Sequence, residues 1–231
     1  MYIDAETRDF LRVLLTRGMQ VDISGHTIKH THNKVDDAAP LPPIKFHFCT
    51  SQHRPEGRLL QADVEMIGRL CWRYARQKRL HIPAFASVPR VGDEIVKAII
   101  KAAHKDNVLL PRLSFSKYAE DGVSYIGPLT RNADYATGQS VWLGDDLVHK
   151  GLSKRRTIVR AHEAGYIVNG MLVFLDYGQG AREYFTNIGV QFHAVLELRP
   201  LLYFGKKESI LPDQTYRAIL KYLDATRGAA A

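Results

Sequence analysis

The feature that most constrains the fold is an alternation of short apolar runs and helical patterns that begins at residue 84. Each run is four to six residues long, which is typical of strands buried on both faces of a sheet. An order of strand, helix and strand predicts βαβ units, so we expect an α/β fold with a central parallel sheet flanked by helices. The runs are Ala84–Val88, Val108–Leu113, Ser140–Leu143, Met171–Leu175 and Phe192–Leu196, and the helical patterns between them are Asp93–Ala103, Ser153–Ala164 and Gln179–Ile188.

The first 60 residues follow a different pattern. Residues 4–17 have the periodicity of an amphipathic helix that Asp4 can cap. Residues 19–43 predict a weak strand followed by a loop, and residues 44–48 alternate as a strand with one buried face does. We therefore predict a helix and a small N-terminal hood over residues 1–60. The α/β domain would occupy residues 61–231, with helices at 62–77 and 211–226.

The segment 114–138 is the exception to the alternation. It is polar, rich in Gly, Tyr, Asp and Asn, and lacks a helical period. A gap of about 25 residues without an element is long for a compact domain and is often functional. We expect a loop that covers the strand ends, with Arg112 and Lys117 near its start.

Composition and charge restrict the classes of partner. The longest stretch without a charge, residues 184–196, is 13 residues long, whereas a membrane helix needs about 20 apolar residues. A net charge of +8 favours anionic partners and leaves nucleic acid, phosphorylated metabolites or no charged ligand open. The sequence lacks an aromatic-basic motif, so nucleic acid is the least favoured. No leader is visible at residues 1–6, and with two cysteines a reducing cytoplasm is the default expectation.

The strongest chemical signal follows the run at 140–143. Asp145 and Asp146 stand at the predicted strand end, and the short loop 149–153 leads into a helix. Ligands of open α/β sheets bind beyond the carboxyl ends of the strands, and the start of a helix suits a phosphate. Gly151 would let the backbone approach that phosphate closely, and the carboxylates could accept hydrogen bonds from sugar hydroxyls. An ordinary strand-end turn with Ser153 as a helix cap explains the same pattern equally well.

Two further strand ends carry polar residues. Ser87, Val88, Pro89 and Arg90 follow the first run, and Asp176, Tyr177 and Arg182 follow the run at 171–175. Either segment by itself is more simply an ordinary turn. The carboxyl ends of parallel strands meet at one edge of a sheet, however, so we expect all three segments to converge there.

These residues carry a resemblance. The chain from about Ala84 to Leu202 resembles the type I phosphoribosyltransferases, and within them the orotate phosphoribosyltransferase-like proteins. Residues 143–154 are similar to the family's phosphoribosyl-diphosphate signature, in which paired acids precede a loop rich in Thr and Gly. Residues 86–92 match its diphosphate loop, and residues 164–165, 173–180 and 189–195 follow in the order and spacing of the orotate subgroup.

The resemblance implies an enzyme that transfers phosphoribose from phosphoribosyl diphosphate to a nitrogen base, in pyrimidine nucleotide synthesis or salvage. It implies magnesium bound through the substrate diphosphate and a homodimer. Catalytic roles would fall to Asp145 and Asp146 at the ribose and to Arg112 and Lys117 on a loop that closes. The implied substrate-binding residues are Ser87, Val88, Pro89 and Arg90 for the diphosphate, His149, Lys150, Gly151, Leu152 and Ser153 for the 5-phosphate, and Asp176, Tyr177 and Arg182 near the base.

The chain departs from the family at three of these positions. His149 stands where the family usually has Thr, and Lys150 where it has a small residue. Tyr177 stands where the orotate enzymes have an Arg that binds the substrate carboxylate, although Arg182 could supply a charge from one helical turn further on. These departures keep an alternative open, a non-catalytic protein of the same fold that binds a nucleotide or phosphosugar as a regulator.

Overall fold

A computed structural model describes residues 4–23, 43–48, 59–120, 123–131 and 134–226. In chain order the elements are α1 (Ala5–Val13), a π-helical turn (Leu14–Gly18), β1 (Met19–Val21), β2 (Ile44–Phe46), α2 (Gln61–Gln77), β3 (Phe85–Ser87), α3 (Val91–Lys105), β4 (Arg112–Glu120), β5 (Val123–Arg131), β6 (Ser140–Val148), α4 (Leu152–Glu163), β7 (Ile167–Asp176), α5 (Ala181–Asn187), β8 (Gln191–Glu197), α6 (Leu198–Lys207) and α7 (Asp213–Thr226).

Six of the described strands form one sheet in the order β5-β4-β3-β6-β7-β8. The pairings of β3 with β4 and β6, of β6 with β7 and of β7 with β8 are parallel, and β5 runs antiparallel to β4. The predicted α/β fold is therefore confirmed, with a sheet that is mostly parallel. The expectation of strands buried on both faces holds best in the centre, where Met171, Leu172, Val173, Phe174 and Leu175 of β7 are fully buried.

The prediction of a loop over residues 114–138 is wrong for most of that segment. Strands β4 and β5 occupy 112–120 and 123–131, and they pair as a hairpin in which Tyr118 stacks on Tyr125 with ring centroids 5.5 Å apart. The outer part of this hairpin has exposed side chains, so its polar composition resembles that of a loop. The buried residues Leu113 and Phe115 alternate with serines, a strand signal that the search for continuous apolar runs overlooked. The apolar run at 108–113 lies mostly before the strand.

The N-terminal helix forms as predicted. The Asp4 carboxylate caps it by accepting a hydrogen bond from the Thr7 backbone N–H at 2.7 Å. Strand β1 pairs antiparallel with β2, which confirms the strand predicted at residues 44–48. The remainder of the predicted hood, at 24–42 and 49–58, lies outside the described residues. The division of the chain at residue 60 stays a prediction.

The two faces of the sheet pack against different helices. Along β7, Leu172 and Phe174 join a cluster that includes residues of α1, α2, α3, α6 and α7. Met171 and Val173 join a cluster with α4 and α5. This alternation follows from the two-residue period of a strand. It leaves the carboxyl edge of β3, β6 and β7 at the surface between the two helix layers, where the predicted site residues lie. In the part of the chain that the structure describes, no helix is long and apolar enough to cross a membrane.

Candidate functional site

The two adjacent acids lie in the second half of β6 and differ in their surroundings. Asp145 is 4% exposed, and its Oδ2 lies 2.5 Å from Nζ of Lys154, whose side chain is equally buried. Its other oxygen accepts the Asp146 backbone N–H at 2.8 Å. A Cβ placed on Gly92 would lie only 2.6 Å from that oxygen, so the start of α3 closes over the carboxylate. Both oxygens of Asp145 are thus engaged inside the protein.

Asp146 differs from Asp145 in the ionisation of its carboxyl group. Burial raises the pKa of its carboxyl group well above the usual range, and the neighbouring Asp145 carboxylate raises that pKa further. The Lys154 ammonium opposes both effects. The ionised form of this carboxyl group is disfavoured in the folded protein. A ligand that brings positive charge or hydroxyl donors would therefore stabilise it.

The loop 149–153 forms the predicted link between β6 and α4. Gly151 adopts a left-handed conformation, with φ of +80°, at the position that caps α4. A Cβ there would lie 2.6 Å from the buried Phe185 ring, so packing and conformation both require glycine. His149, Lys150 and Ser153 are partly exposed beside it, and Leu152 is exposed. The loop therefore presents backbone N–H groups and several polar side chains at a helix start.

The loop after β3 has a buried and an exposed part. Ser87 is fully buried, and its hydroxyl contacts the Asp93 carboxylate. Arg112 of β4 binds the same carboxylate, with Nη1 3.0 Å from Oδ1. Burial raises the pKa of Asp93. Val88 and Pro89 are buried, whereas Arg90 is exposed at the start of α3. The side chains of Ser87 and Arg112 thus hold the loop in place through their contacts with Asp93. Arg90 is the exposed cation of this loop.

Lys117 lies on β4 and reaches the acids from the neighbouring part of the sheet. Burial lowers the pKa of its ammonium group, the nearby Asp145 and Asp146 raise it, and Lys154 and Arg90 lower it again. The predicted residues from β4, β6 and the loop after β3 therefore do come within electrostatic range of one another. Arg112 and Lys117 both lie on the paired strand β4 rather than on the loop that we expected. Closure of this segment over the site stays a prediction.

The third strand end departs most from expectation. Asp176 is 4% exposed and accepts the Gly178 backbone N–H at 2.8 Å, and burial raises its pKa. Tyr177 is 1% exposed, hydrogen-bonds the backbone of Phe46 and contacts the His149 ring, with ring centroids 3.7 Å apart and the planes tilted by 37°. Arg182 reaches Glu197 at 3.2 Å and Asp176 at 3.7 Å. Tyr177 is thus part of the core, and Arg182 is held by two acids.

Three functional candidates escaped the sequence analysis. Lys154 was not among the predicted site residues, yet it shares the buried face of α4 with Thr157, Ile158 and Ala161. Spacings of three, four and seven residues mark that face, so helical periodicity could have identified it. Asp93 and Gln179, which are both buried or nearly so, gave no comparable signal, because their partners are distant in sequence.

One cleft lies away from the strand ends. A groove of about 540 Å³ between α2 and α3 is lined by Arg69, Trp72, Arg73, Arg76, Gln77, Ala102, Lys105 and Asp106. Its arginines are paired with acids, namely Glu6, Asp4 and Asp106. The grouping of loop, acids and lysines at the carboxyl edge of the sheet is the better chemical candidate, because burial and neighbouring charges shift the pKa values of Asp146 and Lys117 there.

Comparison with known proteins finds relatives of part of the chain. No family model matches the chain. Over 121 residues it is 29% identical to an orotate phosphoribosyltransferase of Nostoc sp., covering 51% of this chain and 56% of that protein. Over 98 residues it is 34% identical to an orotate phosphoribosyltransferase of Pyrobaculum islandicum, covering 42% and 49%. The matched region therefore spans about half the length of these curated relatives.

Solved structures agree with the fold over nearly the whole chain. A Leishmania donovani UMP synthase superposes with a TM-score of 0.71 at 20% identity, covering 96% of this chain and 43% of that one. A Francisella tularensis orotate phosphoribosyltransferase superposes with a TM-score of 0.63 at 14% identity, covering 97% of both chains. The chain has the type I phosphoribosyltransferase fold, and the resemblance to the orotate subgroup is confirmed.

Proposed function

We propose that the protein is a phosphoribosyltransferase that transfers phosphoribose from phosphoribosyl diphosphate to a nitrogen base and releases diphosphate. One observation carries the proposal. On a sheet of this fold, the paired acids of β6, the loop 149–153 and the loop 87–90 come together at a single carboxyl edge. That edge is where open α/β sheets bind their ligands.

The loop 149–153 would hold the 5-phosphate. Its backbone N–H groups lie at the positive end of α4, which favours an anion. Gly151 keeps this part of the backbone free of a side chain. The hydroxyl of Ser153 and the ammonium group of Lys150 would add donors to the phosphate oxygens.

Asp145 and Asp146 would have different roles. Asp145 is already bonded to Lys154 and to a backbone N–H, so its task is to hold the end of β6 in place. Asp146 would accept hydrogen bonds from the ribose hydroxyls. During transfer the bond from C1 of the ribose to the diphosphate oxygen breaks, a bond from C1 to the base nitrogen forms, and the proton of that nitrogen passes to the departing diphosphate. Positive charge that develops on the ribose ring would be stabilised by the ionised Asp146 carboxylate.

The diphosphate would lie between the loop 87–90 and β4. Arg90 is exposed there and Lys117 lies within electrostatic range of it, so the two cations could bind the leaving group from both sides. Arg112 would act indirectly, since it holds Asp93 and through it Ser87. This assignment gives the predicted catalytic residues Lys117 and Arg112 different roles.

Magnesium belongs to the proposal as part of the substrate complex. Among the described residues no group of three or more His, Cys, Asp or Glu side chains could hold a metal ion. Mg²⁺ usually keeps several waters and binds through substrate phosphates rather than in an all-protein cage. We therefore propose that magnesium arrives with the diphosphate, where it would neutralise the charge of the leaving group.

The base would lie near Asp176, and we propose one without a carboxylate. Tyr177 is buried against β2, and Arg182 is held by Glu197 and Asp176. Neither position offers the planar cation that best binds a carboxylate. A homodimer and a cytoplasmic location in nucleotide metabolism complete the proposal as the family resemblance implies them.

The direct test is diphosphate release. The protein would be mixed with phosphoribosyl diphosphate, magnesium and one base at a time from a panel of pyrimidines and purines. Release that depends on one base supports the proposal. Tight binding of phosphoribosyl diphosphate without release in the presence of any base would contradict it and would favour a regulatory binding protein.

Paired variants locate the site. Asp146→Asn should reduce kcat strongly while the circular dichroism spectrum stays unchanged, because it removes the charge proposed to stabilise the transition state. Asp224→Asn is the matched control, since Asp224 lies on α7 and only forms an exposed pair with Arg199. Equal activity in both variants would place the reaction elsewhere.

A further inference from the structure

The inference concerns Lys154, and it rests on the proposed role of Asp146 in the transfer step. The ammonium group of Lys154 lies 2.5 Å from Oδ2 of Asp145, and the two side chains are 7% and 5% exposed. The other oxygen of Asp145 accepts the Asp146 backbone N–H at 2.8 Å. The carboxyl groups of Asp145 and Asp146 are also joined by a side-chain hydrogen bond. These three residues form one connected group, which we call the acid–lysine cluster.

The position of Lys154 keeps its ammonium group away from solvent. It lies three residues after the Gly151 cap, on the face of α4 that also buries Thr157, Ile158 and Ala161. An ammonium group buried in this way has little access to a substrate. Its effect on a ligand must therefore pass through the groups that it contacts, first Asp145 and then Asp146.

The charges of the acid–lysine cluster indicate what this effect is. Two carboxylates in contact disfavour each other's ionised form, so a pair of acids tends to retain one proton. The ammonium group reduces the charge of the fully ionised cluster from two negative charges to one. Water screens buried charges only weakly, so this difference matters more here than it would at the surface. The pKa of Asp146 responds in these directions, since burial and Asp145 raise it and Lys154 lowers it.

We propose that Lys154 is a positioning residue that enables Asp146 to ionise beside Asp145, so that a carboxylate is available to the ribose. The proposed transfer needs Asp146 in its ionised form. The value of kcat/KM should therefore fall as the pH drops through the range in which the acid pair takes up a proton. Removal of Lys154 should move this fall to higher pH.

Other charged or titratable groups lie around the acid–lysine cluster among the described residues. They are Lys117 on β4, Arg90 in the loop after β3, Asp93 at the start of α3, His149 and Lys150 in the loop 149–153, and Tyr177 after β7. Burial raises the pKa of Tyr177, so its phenol stays neutral. All of these groups are kept in the variants compared below. Differences among those variants therefore report the charges of Asp145 and Lys154.

The ionisation of the acid pair can be followed without a substrate. Carbon-13 NMR of the full chain with labelled aspartate reports each carboxyl carbon as the pH changes, and Asp146→Asn identifies the resonance. Because the two acids interact, the signal is read as the step in which the pair loses its last proton. In Lys154→Met this step should lie at a pH higher by about 1 or more than in the wild type. In Asp145→Asn, Asp146 should ionise at a lower pH than in the wild type.

A second comparison does not depend on the folding of Lys154→Met, which leaves Asp145 buried without its counter-charge. Asp145→Asn and the double variant Asp145→Asn with Lys154→Met both lack the Asp145 charge, and they differ only in Lys154. Asp146 should ionise at a pH higher by about 1 or more in the double variant. Lys101→Met is the matched control, because Lys101 forms an exposed pair with Glu65. It should leave the titration where the wild type has it.

The outcomes separate this inference from the proposed function. An unchanged step in Lys154→Met, or the same Asp146 titration in Asp145→Asn and the double variant, would overturn the inference. A lower kcat in Lys154→Met with an unmoved acidic limb of kcat/KM would also overturn it, because a merely structural role predicts that result. Failure of the proposed function would appear instead as an absence of diphosphate release with every base, and it would leave the carboxyl titrations intact.

Discussion

The two ends of the candidate site are built in contrasting ways. At the phosphoribosyl end, Asp145 and Lys154 form a buried ion pair, with side chains 5% and 7% exposed. At the base end, Arg182 pairs with Glu197 at the surface, with side chains 43% and 60% exposed. Buried pairs are costly to break, whereas exposed pairs contribute little. The ion pair at the end that would recognise phosphoribose therefore contributes to the stability of the fold. The exposed pair at the end that would recognise the base contributes little.

The largest effect should come from breaking the buried pair. Lys154→Met leaves the Asp145 carboxylate buried without a counter-charge, which should lower the free energy of unfolding by about 3–5 kcal/mol. Glu197→Gln breaks the exposed pair and leaves Arg182 beside the buried Asp176, so it should change the free energy of unfolding by less than about 1 kcal/mol. Urea denaturation measures both. Similar losses in the two variants would remove the contrast between the ends.

A double variant sharpens this test. Asp145→Asn combined with Lys154→Met removes both charges, so it should be more stable than Lys154→Met alone. A double variant that is less stable than expected from adding the two single effects would mean that Lys154 acts through contacts other than the ion pair.

The second effect concerns Gly151. Alanine there adopts a left-handed φ and meets the buried Phe185 ring, so we expect a loss of about 2–4 kcal/mol. Gly189→Ala is the matched control, because Gly189 has the same φ of +80° with open space around it. It should lose only about 1–2 kcal/mol. Denaturation by urea measures both losses. Equal losses of unfolding free energy in Gly151→Ala and Gly189→Ala would show that the Phe185 ring moves aside at little cost.

The smallest effect is a gain in stability, whereas the variants above lose stability. The pKa of Asp146 is raised in the folded protein, so folding becomes less favourable as the pH rises from the carboxyl group's ordinary pKa to its raised value. Asp146→Asn removes this penalty and should raise the melting temperature at pH 7 by about 2–4 °C. The gain should disappear below about pH 4, where Asp146 is protonated in both states. A lower melting temperature at pH 7 would contradict the account.

The sequence predicted the sheet well because its signals were local. The apolar runs at 84–88, 140–143, 171–175 and 192–196 mark four of the parallel strands, and Gly151 and the paired acids mark the phosphoribosyl end. The hairpin of β4 and β5 was missed because its outer part is exposed, so its composition matched that of a loop.

The contacts that assign roles could not be predicted from the sequence, because each joins distant residues. Lys154 lies nine positions after Asp145, Asp93 and Arg112 come from α3 and β4, and Gln179 meets Thr226 across 47 residues. Tyr177 shows the same limit. The sequence suggested that it faces the substrate, and packing against β2 gives it a buried position. Replacing it with Arg would bury a charge and would not create a carboxylate site.

We propose that the phosphoribosyl end keeps the arrangement that binds phosphoribose, whereas the base end offers no cation that binds a carboxylate. Orotate and uracil differ only by that carboxylate, so kcat/KM for the two bases at saturating phosphoribosyl diphosphate and magnesium tests the claim most directly. We expect uracil to exceed orotate by about tenfold or more, the value of one charge-assisted contact. Efficient use of orotate that Arg182→Ala abolishes would contradict the claim, because Arg182 would then supply the missing charge.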